Sequence, residues 1–144
     1  MKPLYIAVDF AGTCVKHAFP KIGEDIGAIP VLKKLVKAGH KIILCTMRSH
    51  IDDNAEHAHN SLKGDRIEND TLQEAIDWFK ENDIPLYGVN DNPSQHRWTG
   101  SPKIYANIYI DDAALGCPLC KDTKDNIFVD WARVELQLQT MGVI

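Results

Sequence analysis

Short apolar runs alternate with stretches of helical periodicity along this chain. Runs rich in aliphatic and β-branched side chains predict buried strands. These are residues 4–9, 41–46, 85–89, 104–110 and 126–129. Residues 29–39, residues 70–80 and the segment after Asp130 have apolar positions three and four residues apart, which predicts amphipathic helices. Strands that alternate with helices predict an α/β fold: a doubly wound parallel sheet of about five strands with helices on both faces.

Composition limits the number of domains and the classes of partner that the chain can have. At 144 residues with 44% hydrophobic side chains, the chain is long enough for one domain with its own core, predicted to span residues 1–144. The net charge of -4 offers no basic surface for nucleic acid or for an anionic membrane. The apolar runs are far shorter than the roughly 18 residues of a membrane span, and the first residues lack the pattern of a secretory signal. We therefore expect a soluble, cytoplasmic protein.

Polar side chains stand where several of the predicted strands end. Asp9 closes the first run, Thr46 closes the second, and Asp111 and Asp112 follow the fourth. Open α/β sheets bind ligands at the carboxyl ends of their strands, near the point where the strand order reverses. A strand that reaches water explains each polar residue alone. The combination of a carboxylate, a hydroxyl and a pair of carboxylates predicts a common site.

This combination of groups suits phosphoryl transfer to an aspartate. A carboxylate such as Asp9 can attack phosphorus and form an aspartyl-phosphate, which divides one difficult step into two easier ones. Two anions approach each other only if a cation neutralises them, and Mg²⁺ is typically bound by one or two carboxylates with phosphate oxygens and waters. Asp9 and Asp111 are therefore the predicted ligands of a Mg²⁺ cofactor, with Asp112 nearby as an indirect or water-mediated partner.

Other polar residues near these strand ends are candidates for substrate contact. The Thr46 hydroxyl and the Lys103 ammonium are predicted to bind phosphate oxygens. Arg48, two residues after Thr46, is a candidate for binding a second anionic group, although a surface arginine explains it equally well. His17 and Lys21 lie in the loop after the first strand and are further candidates on the same edge.

The order of these residues resembles the motif set of the haloacid dehalogenase (HAD) superfamily. Val8–Thr13 is similar to the first motif, an apolar strand followed by Asp-x-Asp-Gly-Thr. Leu44–Thr46, Lys103 and Ile108–Asp112 are similar to the second, third and fourth motifs. The resemblance covers residues 4–112, and it is more specific as an ordered set than any one motif would be.

The resemblance implies a Rossmannoid fold, Mg²⁺ dependence and Asp9 as the phosphorylated nucleophile. It also implies that the backbone carbonyl of Ala11 is a metal ligand. The segment between the first two motifs is too short for a large cap, so the chain is similar to small, capless phosphatases of this superfamily. The expected partner is a small phosphorylated substrate. An open, capless site also suggests either a macromolecular substrate or a homo-oligomer in which a second subunit forms the lid.

One position departs from the phosphatase pattern. The acid that protonates the leaving group and later activates water stands two residues after the nucleophile in those enzymes, and here this residue is Ala11. General acid–base catalysis is worth about 10²–10⁴-fold, so the chain is predicted to be a slow or stalled phosphatase. Three explanations stay open: a substitution engineered to disable turnover, phosphonatase-like P–C hydrolysis, or an inactive domain that binds phosphorylated ligands. Phosphonatases share an Asp-x-Ala-Gly-Thr motif but also need a lysine on a cap.

Cysteines and histidines outside these motifs are weaker candidates. Cys117 and Cys120 have the spacing of half a zinc site, but the chain has no second cysteine pair to complete it. Histidines could supply the missing ligands, namely His50, His57 and His59. The simpler interpretation is a loop turn with two partly buried thiols. The polar segment 49–69, which carries these histidines, is interpreted as a long loop or a short helical excursion near the site.

Overall fold

The computed structural model describes residues 1–51 and 69–144, so most of the predicted loop at 49–69 lies outside the described residues. Strands and helices alternate along the first part of the chain. The elements are β1 (Tyr5–Val8), α1 (Ala28–Lys37), β2 (Lys41–Leu44), α2 (Thr71–Glu81), β3 (Leu86–Val89), a 3-10 helix (Pro93–Arg97), β4 (Ile108–Ile110), β5 (Leu119–Lys121), β6 (Ile127–Val129) and α3 (Trp131–Thr140). Within the described ranges, no helix is long and apolar enough to cross a membrane.

Strands β1 to β4 form a parallel sheet in the order β3-β2-β1-β4. The chain moves outward from β1 through β2 to β3 and then crosses to the other side of β1 for β4. This reversal between β1 and β4 is the topological switch point at which open α/β sheets bind ligands. The predicted α/β class with a Rossmannoid parallel sheet is confirmed, with four parallel strands in place of about five.

The α-helices pack on one face of this sheet and share one core with it. Alternate residues of the central strands point to this face, and each helix adds buried apolar side chains. The core includes Ile6, Val8, Ile42 and Leu44 of the sheet, Leu32 and Leu35 of α1, Phe79 of α2, and Trp131 and Leu138 of α3. The connections from β1 to β2 and from β2 to β3 both cross this face, as expected when right-handed crossovers run in the same direction.

The opposite face of the sheet is covered by the connection from β3 to β4. Tyr5 points to this face because it alternates with Ile6 along β1, and its ring centroid lies 5.6 Å from that of Tyr87 and 5.8 Å from that of Tyr105. The Tyr87 hydroxyl is hydrogen-bonded to Ser94 in the 3-10 helix. Helical cover is therefore present on both faces, but the second face has a single 3-10 helix and its flanking loops.

Two of the helices begin at an aspartate that caps their first turn. Asp70 accepts a hydrogen bond from the Gln73 N–H at 2.8 Å, and Asp130 accepts one from the Arg133 N–H at 3.2 Å. Both carboxylates satisfy backbone donors that the first turn of a helix leaves unpaired. These caps fix where α2 and α3 start, and α3 in turn contributes Trp131 to the core beneath the switch point.

Strand β4 is shorter than the strand predicted at 104–110. Its pairing with β1 starts at Asn107, whose N–H donates to the Tyr5 carbonyl at 2.9 Å and whose side chain accepts from the Tyr5 N–H at 2.8 Å. Before this point the backbone turns around Tyr109, whose hydroxyl donates to the Ile104 carbonyl and accepts from the Ala106 N–H. The apolar residues before Asn107 therefore lie in an irregular segment outside the strand.

The last predicted strand does not join the parallel sheet. Strand β6 instead pairs antiparallel with β5 in a separate two-stranded sheet. In the turn between them, the Asp122 carboxylate accepts from the N–H groups of Lys124 and Asn126, and Asp125 has φ 62°. Aspartate and asparagine favour such turns because their side chains bond to nearby backbone groups. Leu119 and Cys120, predicted to lie in a loop turn, thus belong to strand β5.

Candidate active site

A cleft of about 570 Å³ opens where β1, β2 and β4 end. The residues that line it come from these strand ends and the loops that follow them. They are Asp9, Ala11, His17, Phe19, Thr46, Met47, Arg48, Asp111, Asp112 and Ala113. The polar strand-end residues that the sequence singled out therefore surround one cavity, which adjoins the switch point between β1 and β4.

Asp9 is held at the end of β1 by the sheet and by Thr13. Its N–H donates to the Ile110 carbonyl of β4 at 3.0 Å. The fully buried Thr13 places its hydroxyl oxygen 3.0 Å from Asp9 Oδ2 and 3.2 Å from Asp112 Oδ1, and this oxygen accepts from the Asp112 N–H at 3.1 Å. The Trp131 indole N–H donates to the Thr13 carbonyl at 2.6 Å. Thr13 thus joins the ends of β1 and β4.

Three carboxylates meet in this cleft. Asp9, Asp111 and Asp112 each offer an oxygen, and these oxygens lie within 4.8 Å of one another. Burial, together with the nearby negative charge of Asp111, raises the pKa of Asp9 from 3.8 to about 7. Ionised carboxylates at this separation repel one another unless a proton or a cation lies among them. The cluster therefore favours an added positive charge at neutral pH.

The pKa of Asp112 is shifted in the opposite direction from that of Asp9, because more hydrogen-bond donors surround it. Nε2 of His17 lies 2.9 Å from Asp112 Oδ2, while Thr13 lies near the other oxygen. Burial alone would raise the pKa of Asp112, but the hydrogen bonds with His17, Asp9 and Thr13 outweigh it and lower that pKa. Within the pair, Asp9 is therefore the carboxyl group with the higher pKa and Asp112 the one with the lower pKa.

The turn after Asp9 depends on Gly12. This residue has φ 80°, and a Cβ built on it would overlap Nε2 of His17 and Oδ2 of Asp112. Glycine is thus favoured both by the backbone conformation and by the space beside the His17–Asp112 pair. The preceding Ala11 lines the cleft, and among the residues that the structure describes its carbonyl oxygen accepts no backbone hydrogen bond.

Thr46 lies at the end of β2 with its hydroxyl beside the cleft. Its oxygen accepts from the Arg48 N–H at 3.1 Å, so the hydroxyl proton is left to donate to a ligand. Asn90, which follows β3, accepts from the Thr46 N–H at 2.8 Å and donates its own N–H to the Leu44 carbonyl at 2.7 Å. The third strand therefore fixes the position of the Thr46 hydroxyl.

Arg48 has a structural role in place of the anion contact considered for it. Its side chain is only 4% exposed, and its guanidinium donates to the carbonyls of Pro20, Lys21 and Thr71 at 3.2, 2.7 and 3.3 Å. These bonds tie the loop after β1 to the start of α2. Both terminal nitrogens donate to these backbone carbonyls, whereas the buried Nε has no hydrogen-bond partner among the described residues. The hydrogen bonds that the guanidinium does make are therefore with the backbone.

Lys103 and Lys21 do not reach the carboxylates. The Lys103 ammonium lies 5.9 Å from the centroid of the Tyr109 ring, and Lys103 is not among the residues that line the cleft. It precedes β4, whereas the cleft lies at the carboxyl end of this strand. Lys21 contributes its backbone carbonyl to Arg48. The order of motifs along the chain predicts a phosphate contact for Lys103, and that contact stays a prediction.

The cysteines form no metal site in the part of the chain that the structure describes. All are free thiols, including Cys117 and Cys120, and the group of His, Cys, Asp or Glu side chains that could hold a metal ion is the carboxylate cluster. Nδ1 of His50 lies 3.0 Å from the Asp70 carboxylate. His57 and His59, the other histidines considered for zinc, lie outside the described residues.

The sequence pointed to the carboxylates but not to the residues that support them. Thr13 was noted only as part of the first motif, although its place after Asp9 and Gly12 is itself a signal of a tight, polar turn. His17 was one of several loop candidates, and only the structure brings it to Asp112. Asn90 had no signal, because nothing local connects it to Thr46, which lies 44 residues earlier.

Comparisons with known proteins bear on the fold. No family model matches the chain, and no curated protein matches it either. A solved structure, described as that of a conserved protein coded by a locus of Bacteroides thetaiotaomicron, has 29% sequence identity and a TM-score of 0.68. The match covers 97% of this chain and 93% of that one. The likeness therefore extends over nearly the whole chain and supports the α/β architecture, while its description names no activity.

Proposed function

We propose that this protein is a Mg²⁺-dependent phosphomonoester hydrolase of the HAD type, with turnover impaired by Ala11. The observation that carries the proposal is the convergence of the Asp9, Asp111 and Asp112 oxygens within 4.8 Å at the switch point of a doubly wound sheet. The same residues occupy the first and fourth motifs of the resemblance, so geometry and sequence pattern point to the same chemistry.

The donor set suits Mg²⁺. Carboxylate and carbonyl oxygens are the ligands this hard cation prefers. Burial and the neighbouring Asp111 charge raise the pKa of Asp9, and a bound cation would offset both. Asp9, Asp111 and the Ala11 carbonyl would hold the ion, with Asp112 as a further or water-mediated contact. Bound Mg²⁺ would neutralise the substrate phosphate and the carboxylates that surround it.

The residues of the chain then have separate tasks. Asp9 attacks phosphorus, the bond from phosphorus to the leaving oxygen breaks, and the phosphoryl group is transferred to the Asp9 carboxylate. Thr13 fixes the orientation of Asp9, and the Thr46 hydroxyl donates to a phosphate oxygen. The leaving oxygen needs a proton, and a water must later lose one as it attacks the aspartyl-phosphate. Ala11 can supply neither transfer, so both steps are slow.

The second candidate function is a domain that binds phosphorylated ligands without hydrolysing them. Ala11 itself favours it, because the carboxylates that would hold the ion are kept while the acid is missing. Phosphonatase-like P–C hydrolysis is a weaker alternative. It shares the alanine of the first motif but needs a lysine that forms a Schiff base, and in the described residues no lysine lines the cleft.

Restoring the acid separates these candidates. The Ala11→Asp variant is expected to hydrolyse p-nitrophenyl phosphate about 10²–10⁴-fold faster than the parent in the presence of Mg²⁺. Ala11→Asn is the matched control, because the Asn side chain has nearly the same size as Asp but is not an acid. This variant should keep the parent rate. An Asp variant that is inert towards p-nitrophenyl phosphate and a panel of metabolite phosphates, yet binds phosphate with Mg²⁺, would favour the ligand-binding domain.

A further inference from the structure

The cleft has an apolar side that phosphoryl transfer alone does not explain. Phe19 and Met47 line it together with the carboxylates, and they are 45% and 98% exposed. Small-molecule sites combine apolar and aromatic side chains with a few polar groups that fix the ligand, and these two residues give the cleft that combination. We refer to Phe19 and Met47 as the apolar wall.

Phe19 is held in place by Arg48. The centre of the guanidinium lies 5.3 Å from the centroid of the Phe19 ring and 5.0 Å from that of the buried Phe10 ring. The same guanidinium donates to the carbonyls of Pro20 and Lys21, which directly follow Phe19 in the chain. The guanidinium therefore packs on the buried Phe10 ring and also contacts both the Phe19 ring and the backbone that follows it. A ring pre-positioned in this way loses little freedom when a ligand stacks on it.

The cleft also has room for more than a phosphate. Its volume of about 570 Å³ is in the range of small-molecule sites, which hold whole ligands. The cation on its apolar side, Arg48, already donates to backbone carbonyls, so this side suits an uncharged group. Carboxylates on one side and a fixed aromatic ring on the other match a molecule with a phosphate at one end and an uncharged planar ring at the other.

We propose that the apolar wall binds the leaving group of the substrate, and that this group carries an uncharged aromatic ring. The inference rests on the proposed function, because it places the phosphate of the same molecule at the carboxylates. Phe19 supplies a flat surface for offset stacking, and the Met47 thioether supplies a flexible sulfur contact at the mouth. Sugar phosphates and bisphosphates lack the matching ring and are the poorer class of substrate.

Equilibrium binding tests this proposal on the full chain, since slow turnover leaves the ligand intact during a titration. Calorimetry with Mg²⁺ compares phenyl phosphate with cyclohexyl phosphate, which has a similar size and the same charge but no planar ring. The parent should bind phenyl phosphate about three- to tenfold more tightly, which is the range that an aromatic pair contributes. In Phe19→Leu the two ligands should bind equally.

The control variant is Trp98→Leu, which removes another exposed aromatic ring, 61% exposed and outside the residues that line the cleft. It should keep the preference for phenyl phosphate. Equal binding of both esters by the parent, or a preference that Phe19→Leu keeps, overturns the apolar wall as the ring site while the proposed function stands. Inorganic phosphate and both esters failing to bind with Mg²⁺ would overturn the proposed function and the inference with it.

Discussion

Two kinds of charge lie side by side in the cleft, half-buried carboxylates and a buried guanidinium, and they have different surroundings. On one side, Asp9, Asp111 and Asp112 bring like charges within 4.8 Å of one another, and burial raises the pKa of Asp9 to about 7. On the other side, Arg48 is nearly as buried as a core residue, but it donates to several backbone carbonyls and lies against the rings of Phe10 and Phe19.

The difference separates structure from function. A buried charge that donates to several neutral carbonyls holds segments of chain together. Like charges gathered without enough donors reduce stability by themselves, and such an arrangement is typical of sites that bind a cation or a proton. Sequence position makes Arg48 a candidate for an anion contact or a surface arginine, and only its contacts distinguish it from the carboxylates. The predictions below are ordered from the largest expected effect to the smallest.

Removing the Arg48 side chain should be the most damaging change to stability. Arg48→Ala leaves the carbonyls of Pro20, Lys21 and Thr71 without their donor, and we expect the free energy of unfolding to fall by about 3 kcal/mol in urea titrations. Arg48→Lys keeps the charge without the fork and should lose less. If Arg48→Ala kept the parent stability and lost phosphate binding, Arg48 would belong to the ligand site instead.

Neutralising Asp9 should increase the stability of the protein, in contrast to the loss expected for Arg48→Ala. Without metal, Asp9→Asn is expected to raise the free energy of unfolding at pH 8 by about 2 kcal/mol. The upper bound is about 4 kcal/mol, which is the cost of ionising an Asp whose pKa is about 7 in the folded protein instead of 3.8. Because the pKa is raised in the folded state, the folded protein binds more protons between pH 4 and 7. The parent should therefore lose stability as pH rises through this window.

The pH profile checks the sign of this effect. Urea unfolding of the parent and of Asp9→Asn in parallel, from pH 4 to pH 8 with a chelator, should show the two curves diverging as pH rises. Parallel curves would mean that Asp9 ionises in the folded protein as it does in an unfolded chain, and that the carboxylates do not strain one another.

A methyl group at Gly12 should disturb the carboxylate side alone. Gly12→Ala places a Cβ against His17 and Asp112 and forces a residue with a side chain to keep φ 80°, so we expect a loss of about 1–2 kcal/mol in stability and weaker Mg²⁺ binding. Gly100→Ala is the matched control, because a Cβ there meets nothing within 4 Å. Similar losses in both variants would show that the space beside His17 and Asp112 is not what requires glycine.

The smallest effect is expected at His17. Its contact with Asp112 is exposed to solvent, so His17→Ala should change stability little. It should weaken Mg²⁺ binding by about tenfold in calorimetry, since residues that orient a metal-binding carboxylate usually matter to this extent. A matched substitution at His96, which bonds to Asp91 on another part of the surface, should leave Mg²⁺ binding unchanged. Unchanged binding in His17→Ala would remove His17 from the site.

The parts of the fold that local pattern determines could be predicted from the sequence. The apolar runs of β1 and β2 and the aspartate caps of α2 and α3 depend on near neighbours in the chain. The start of β4 and the partner of β6 could not be predicted. The start of β4 depends on the Tyr109 hydroxyl, which bonds to the backbone of the preceding segment. The pairing of β6 depends on the turn at Asp122, which brings β5 alongside it.

The candidate site divides in the same way. Topology brought Asp9, Thr46, Asp111 and Asp112 together because parallel strands end on one edge. The roles of Arg48 and Lys103 were beyond such reasoning. The partners of Arg48 are backbone carbonyls of distant segments, which no residue type reveals. Lys103 is separated from β4 by an irregular segment that bonds to the Tyr109 hydroxyl, and the sequence does not show where this segment runs.

Thermal unfolding with and without Mg²⁺ at pH 8 tests the central claim most directly, with NaCl of equal ionic strength as the reference. Binding to the folded state alone stabilises it, so millimolar Mg²⁺ should raise the melting temperature of the parent by several degrees. Asp111→Asn should lose most of that rise, because the ion then has one carboxylate fewer. A parent that melts at the same temperature in both salts, or an Asp111→Asn variant that responds as the parent does, would contradict the assignment of the carboxylate cluster as a cation site.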